Sequence, residues 1–271
     1  MKSRLGRLLS EDSDDSADCD VTAGTFHSVC LRILRKHHEA AGYASSFTIY
    51  DTDDTKKAIQ ACMKELSIDE KTLAVRSVQS AISRAKDRLI GPRQFAAEAG
   101  CDYTLERIAN IYDCYQKRLK AGNALDFDDI IMETVKLLRE NGEIRDYYQR
   151  RYKYVCVDEY QDTNEAQFEL IKLLSGGYRN IMVVGDDDQS IYKFRGARIE
   201  NILSFEKNYE GARVIRLEEN YRSVGNILDA ANAVISHNDG RMGKTLRTER
   251  ESGEKIKIKR LENQNEEARY I

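Results

Sequence analysis

Tyr154-Val155-Cys156-Val157-Asp158-Glu159-Tyr160-Gln161-Asp162-Thr163-Asn164 decides the fold. Four apolar or aromatic residues run into two adjacent carboxylates. Such a run reads as a buried strand with its charges at the carboxyl edge of a sheet, where open α/β folds bind ligands. Adjacent acids there suit a nucleotide-bound Mg²⁺, a hard cation that prefers oxygen ligands. The alternative is a strand followed by a helix cap, since Asp162, Thr163 and Asn164 all form caps.

Downstream, the same pattern returns. A helix is predicted from about 163 to 175, with Phe168, Ile171 and Leu174 on one face. A second strand, Ile181–Val184, ends in Gly185-Asp186-Asp187-Asp188-Gln189. A third, Arg213–Leu217, ends in Glu218-Glu219-Asn220-Tyr221-Arg222-Ser223. A helix over 223–237 and a strand over 256–260 follow. Alternating strands and helices predict a parallel sheet in an α/β fold.

Upstream, the period is helical. Thr25-Phe26-His27-Ser28 opens a helix with Phe26, Val29, Cys30, Ile33 and Leu34 at i, i+3, i+4, i+7, i+8 spacing. Asp51–Asp54 cap a second helix that runs to about Leu66. Further helices are predicted over 75–89, 92–99, 103–121 and 126–140, so that 40–150 is nearly all helical. Residues 1–10 read as the end of an amphipathic helix, and 11–20, with six acids in ten positions, as a solvated loop. So abrupt an opening suggests a fragment.

The bulk numbers narrow the class. The chain has 271 residues, 41% hydrophobic and 33% charged, enough for roughly two domains. A single proline, Pro92, argues against long linkers and an all-β fold. The net charge of −3 means that nucleic acid, if bound, is bound in local grooves rather than by a global field. Arg76, Arg84, Lys86, Arg88 and Arg93 oppose only Asp87 between 76 and 93, which reads as a solvated helix face or a DNA contact. The six cysteines include no C-x-x-C pair and no zinc-ligand spacing, so reduced thiols are expected. Neither a transmembrane run nor a signal-peptide core appears, and the expected location is cytoplasmic.

Three strand ends on one sheet edge would bring together acids for a metal, an amide and an arginine, the inventory of phosphoryl transfer. These segments resemble motifs II, III and IV of the UvrD/Rep/PcrA-type superfamily 1 DNA helicases: Asp158–Asn164, Val184–Ala197 and Leu217–Ser223. Thr25–Ser28 and Leu125-Asp126-Phe127-Asp128-Asp129 resemble that family's TFHS and LDFDD segments. The resemblance implies a partial RecA-like parallel sheet of the P-loop NTPase type with an all-helical inserted subdomain. Residues 1–40 and 126–212 would belong to the first RecA-like domain, 41–125 to the insertion, and 213–271 to the start of the second domain.

The resemblance also implies roles. Asp158 would coordinate Mg²⁺, with Glu159 beside it orienting or deprotonating the attacking water. Gln189 would sense the γ-phosphate of ATP. Arg222 would act as an arginine finger and Tyr221 would stack near the adenine. Tyr192 and Phe194 would stack on single-stranded bases; the family often has tryptophan where Phe194 stands. Arg195 would brace that loop, and Thr25 and His27 would contact the DNA backbone, although a satisfied, partly buried histidine also fits His27. The implied parent is an ATP-dependent 3′–5′ DNA helicase and translocase, monomeric, acting on single-stranded DNA and its junctions with duplex. Two other classes are a non-catalytic DNA- or partner-binding module and a metal-dependent nuclease using Asp158, Glu159 and Asp186.

One element is not found. The family's G-x-x-x-x-G-K-[ST] loop cradles phosphates. The nearest approach here, Gly240-Arg241-Met242-Gly243-Lys244-Thr245, has two residues between its glycines and follows motif IV, and reads as a surface turn. The family's motifs V and VI are not found either. The 271 residues alone are therefore expected to be incompetent as an ATPase.

Overall fold

The structure, a computed structural model, describes residues 21–193, 196–238 and 241–271. The expectations for residues 1–20, Phe194 and Arg195 lie outside these. The chain divides into two compact units: Met1–Gly185 with Ser190–Asn201, and Asp186–Gln189 with Ile202–Ile271.

The first unit opens with α1 (Phe26–Lys36), capped by Thr25, whose Oγ1 accepts from Ser28 N–H at 3.3 Å. Strand β1 (Thr48–Ile49) follows, and then α2 (Thr52–Glu65), α3 (Val75–Asp87), α4 (Pro92–Ala99) and α5 (Tyr103–Ala121). Local chemistry sets these starts. Asp51 accepts from the N–H groups of Asp53 and Asp54, Asp102 does the same for Thr104 and Leu105, and Pro92 occupies the first turn of α4. Strand β2 (Ala124–Leu125) then pairs in parallel with β1, Thr48 opposite Ala124 and Ile49 opposite Leu125. The chain thus leaves and re-enters the body at one place, and α2–α5 form a helical excursion from it.

The excursion has its own core, in which Ile59, Val78, Ile82, Ile111, Tyr112 and Tyr115 are buried together. A second core lies where α1 packs with α6 (Phe127–Glu140), α7 (Gly142–Arg151) and α8 (Glu165–Ser175), around Leu34, Leu125, Ile131, Leu138 and Leu170. A second two-stranded sheet lies against α8, in which β3 (Val155–Val157) pairs in parallel with β4 (Ile181–Val183). The strand expected to be buried is covered on one face only. Helix α8 packs against it, while Tyr154 is 77% and Met182 57% exposed.

The short α9 (Glu200–Leu203) begins in the first unit and ends in the second, where α10 (Phe205–Asn208), α11 (Gly225–Ile235) and α12 (Gln264–Tyr270) follow. The strands expected over 213–217 and 256–260 do not form. A strand exists as a member of a ladder, and the one pairing here is a single bridge between Glu219 and Arg247. No helix among the described residues is long and apolar enough to cross a membrane.

Excursion and body are joined by a buried ionic knot. Lys86 of α3 is 1% exposed, and its Nζ lies 2.6 Å from Asp126 Oδ2 and 2.7 Å from Asp129 Oδ1. Tyr115 of α5 donates to Asp126 at 2.9 Å, and Gln116 donates to Asp129 at 2.9 Å. The two acids also form the capping box that starts α6. Burial opposes the ammonium, but the two carboxylates outweigh it and raise the Lys86 pKa. Burial also opposes ionised Asp126, yet Lys86 and its hydrogen bonds hold that carboxyl below the usual range. For Asp129 burial prevails and pushes the group up to about 7.

Replacing Lys86 by Met leaves two carboxylates buried without a cation. Loss of one partner of a buried pair typically costs about 3–5 kcal/mol. A urea titration followed by far-ultraviolet circular dichroism should show a loss of that order; an unchanged midpoint would contradict the role of the knot.

Candidate functional site

The motif II segment begins where β3 ends. Asp158 and Glu159 are exposed, and Asp158 Oδ1 accepts from Glu159 N–H at 3.0 Å. Glu159 has φ 52° and ψ 42°, a left-handed backbone unusual for a residue with a side chain. Gln161 holds its carboxylate from the side, donating to Oε2 at 2.8 Å. The chain then turns back beside β4, with Tyr160 N–H donating to Val184 O at 2.9 Å. Asn164 caps α8 in a reciprocal box with Gln167. The cap and the acid pair, alternatives in the sequence, are therefore both present on different residues. Two exposed oxygen-donor side chains at a strand end fit a hard divalent cation.

Gln189 lies in a short turn, Asp187–Gln189, of the second unit. Its amide donates to Asp186 Oδ2 at 2.7 Å. The acids around it are not solvent acids. Arg241 grips Asp188 through two hydrogen bonds of 2.6 and 2.7 Å, Met242 N–H donates to Asp187 at 2.8 Å, and Lys244 pairs with Asp186. Lys244 and Gln189 thereby hold the Asp186 carboxyl below its ordinary pKa, against the effect of burial. The segment that reads as a surface turn thus supplies the countercharge for the acidic triplet. In the sequence its signal is the two cations, Arg241 and Lys244, beside the paired glycines.

Arg222 and Tyr221 follow Asn220, whose side chain accepts from the N–H groups of Arg222 and Ser223 at 2.9 and 2.7 Å. Tyr221 is 82% exposed. Glu219 pairs with Arg247 instead, and among the described residues no ion pair engages the Arg222 guanidinium. Of the three segments expected as strands with polar ends, only the two that form β3 and β4 pair in a sheet; Arg213–Leu217 forms no strand.

A cleft of about 1430 Å³ opens in the first unit, lined by His27, Phe127 and Tyr192 and by the polar face of α3. That face carries Arg76, Gln79, Ser80, Ser83 and Arg84. His27 stacks on Phe127 with ring centroids 3.7 Å apart and planes at 21°, and burial lowers its pKa. Thr25 is the exposed cap of the same helix. Phe127 was missed as a site residue; the signal was its place between Asp126 and Asp128 at a helix start, where it is largely exposed. The cleft also holds Asp87, Asp128 and Asp162. Burial raises the pKa of all three, that of Asp87 to about 7, so the cleft is less anionic near neutrality than its carboxylate count suggests.

Comparison with known proteins matches the sequence to one family. Residues 1–210 match the UvrD/REP helicase N-terminal domain, and residues 215–271 the UvrD-like helicase C-terminal domain. The chain is 45% identical over 271 residues to the ATP-dependent DNA helicase PcrA of Bacillus subtilis. It is 44% identical to that of Staphylococcus epidermidis and 42% to that of Leuconostoc citreum, each over all 271 residues. The chain spans 36% of the length of these curated relatives. With a family match over most of its length, the chain belongs to the UvrD/REP helicase family.

Proposed function

We propose that the chain is part of an ATP-dependent 3′–5′ DNA helicase and translocase, and that the cleft of the first unit holds single-stranded DNA. The observation that carries the DNA-binding reading is the make-up of that cleft. Its lining combines rings that can stack on bases with guanidinium and hydroxyl groups suited to phosphates. Tyr192, Phe194 and Arg195 would form the DNA loop, with Thr25 and His27 on the backbone. The protein would work as a monomer in the cytoplasm, at junctions of single-stranded and duplex DNA.

In the complete protein, Asp158 and Glu159 would hold Mg²⁺, which supplies neutralising charge at phosphate oxygens. Glu159, kept in place by Gln161, is suited to orient or deprotonate water. Gln189 has one amide hydrogen committed to Asp186, which leaves its carbonyl to face water and its second hydrogen to face phosphate. The unengaged guanidinium of Arg222 matches phosphate oxygens in a bidentate way, and exposed Tyr221 offers a ring to adenine. Residues 1–40 and 126–212 would form the first RecA-like domain, 41–125 its insertion, and 213–271 the opening of the second. The two separate cores and the β1–β2 pairing support this division.

Fluorescence anisotropy with labelled oligo(dT) tests the cleft. Binding should weaken with salt, the logarithm of the constant falling by about 0.7 per phosphate contacted for every decade of salt. Tyr192→Ala should cost roughly 1–3 kcal/mol, the range for one stacked base, while the salt slope stays unchanged. Binding indifferent to both salt and Tyr192 would reject the reading.

The 271-residue sequence contains no G-x-x-x-x-G-K-[ST] pattern. The purified chain should release no phosphate from ATP above background, with or without DNA. Sustained DNA-stimulated release that Glu159→Gln abolishes would contradict this.

A further inference from the structure

Asp87, the last residue of α3, reaches out of the helical excursion into the body. Its Oδ1 accepts from Asn164 Nδ2 at 2.6 Å. Asn164 has no freedom in this, because its Oδ1 is committed to Gln167 N–H at 2.9 Å as the cap of α8. Its amide nitrogen must therefore face Asp87. The other carboxylate oxygen of Asp87 lies against Gly196. A Cβ on that glycine would sit 3.1 Å from Oδ2, and the glycine has φ +83°, so a side chain there would meet both strain and crowding.

Gly196 belongs to the turn that carries Tyr192. Its N–H donates to Lys193 O at 3.0 Å, and Ala197 N–H donates to Tyr192 O at 3.3 Å. The return leg of this turn is stitched to the motif II segment. Arg198 N–H donates to Thr163 O at 3.0 Å, Asn201 donates to the carbonyl and hydroxyl of Thr163 at 3.0 and 3.1 Å, and Arg198 pairs with Glu165 at 2.9 Å. One carboxylate of the excursion thus touches both the cap that follows motif II and the turn that presents the ring to the cleft.

We propose that Asp87 is a positioning residue that fixes the Tyr192 turn against the cap of α8, so that the stacking of Tyr192 on single-stranded DNA depends on it. This rests on the reading of the cleft as the DNA site. Burial and the neighbouring Asp128 carboxylate both penalise ionised Asp87, with the Asn164 hydrogen bond opposing them, and its pKa rises to about 7. A folded-state pKa raised above the unfolded value makes this acid most favourable to folding at low pH. Its contribution declines as pH climbs from the ordinary carboxylate range to about 7.

Oligo(dT) affinity is measured for the chain and for Tyr192→Ala, Asp87→Ala, Asp87→Asn and Asp87→Ala with Tyr192→Ala. Circular dichroism and melting check each variant's fold. Asp87→Ala should weaken binding on the order of fivefold, the equivalent of about one hydrogen bond, and should add little to Tyr192→Ala. Asp87→Asn keeps the shape and an acceptor for Asn164 and should restore affinity to within about twofold. It should also melt higher than the parent chain at pH 8, by a margin that shrinks as pH falls toward the ordinary carboxylate range and vanishes below it. Should Asp87→Ala fail to fold, Asn164→Ala removes the same hydrogen bond from the other side and should weaken DNA in the same Tyr192-dependent way. An Asp87→Ala variant that is folded and binds normally, or one that weakens binding equally without the Tyr192 ring, overturns the positioning role. An inert Tyr192→Ala overturns the cleft reading itself, and the positioning role with it.

Discussion

The buried contact of Lys86 with Asp126 and Asp129 is the constraint on which the rest of the first unit hangs. An ammonium removed from water is costly, and two carboxylates with hydroxyl, amide and backbone donors make it tolerable. The price of that arrangement is geometric. Helices α3 and α5 and the start of α6 must meet at one point, so the excursion cannot rotate on its stalk without exposing unpaired charge. The same point starts α6, which puts Phe127 at the cleft under His27. Apolar packing in the two cores supplies bulk stability, but it is less directional. The knot supplies the register between them.

Much of the first unit was legible in the sequence. The helices over 52–65, 103–121 and 127–140 follow apolar spacing and acidic caps, signals that act within a few residues and need no partner. The strands were harder. Val155–Val157 and Ile181–Val183 formed as expected, yet Arg213–Leu217, which also carries three apolar residues, did not. A strand is a property of its neighbours, and no local pattern states whether a neighbour is present. Strands β1 and β2, two residues each, and the last helix before β3, Gly142–Arg151, left little periodic signal.

The candidate site shows the same division. Asp158-Glu159 and the residues around Gln189 stand in contiguous segments whose chemistry can be read along the chain. Asp87, Asn164 and Gly196 are far apart in sequence, and only folding gives them a common meaning. Arg241 and Lys244 likewise gain significance from the acids they meet, not from the glycine spacing around them. Charge count alone misleads in the cleft. Burial shifts Asp87 and Asp128 toward neutrality, so the cleft's field differs from the sum of its formal charges.

Glu159 bears a further consequence. Its left-handed backbone would be relaxed by glycine, which visits that region at little cost, whereas other residues are strained there. A screen for thermostability would therefore be drawn to glycine at this position. Under the proposed role of the Glu159 carboxylate, a screen for turnover would be drawn away from it, since glycine carries no carboxylate. The two objectives diverge at a single backbone angle, and Glu159 marks where the chain accepts local instability in exchange for a group that faces water.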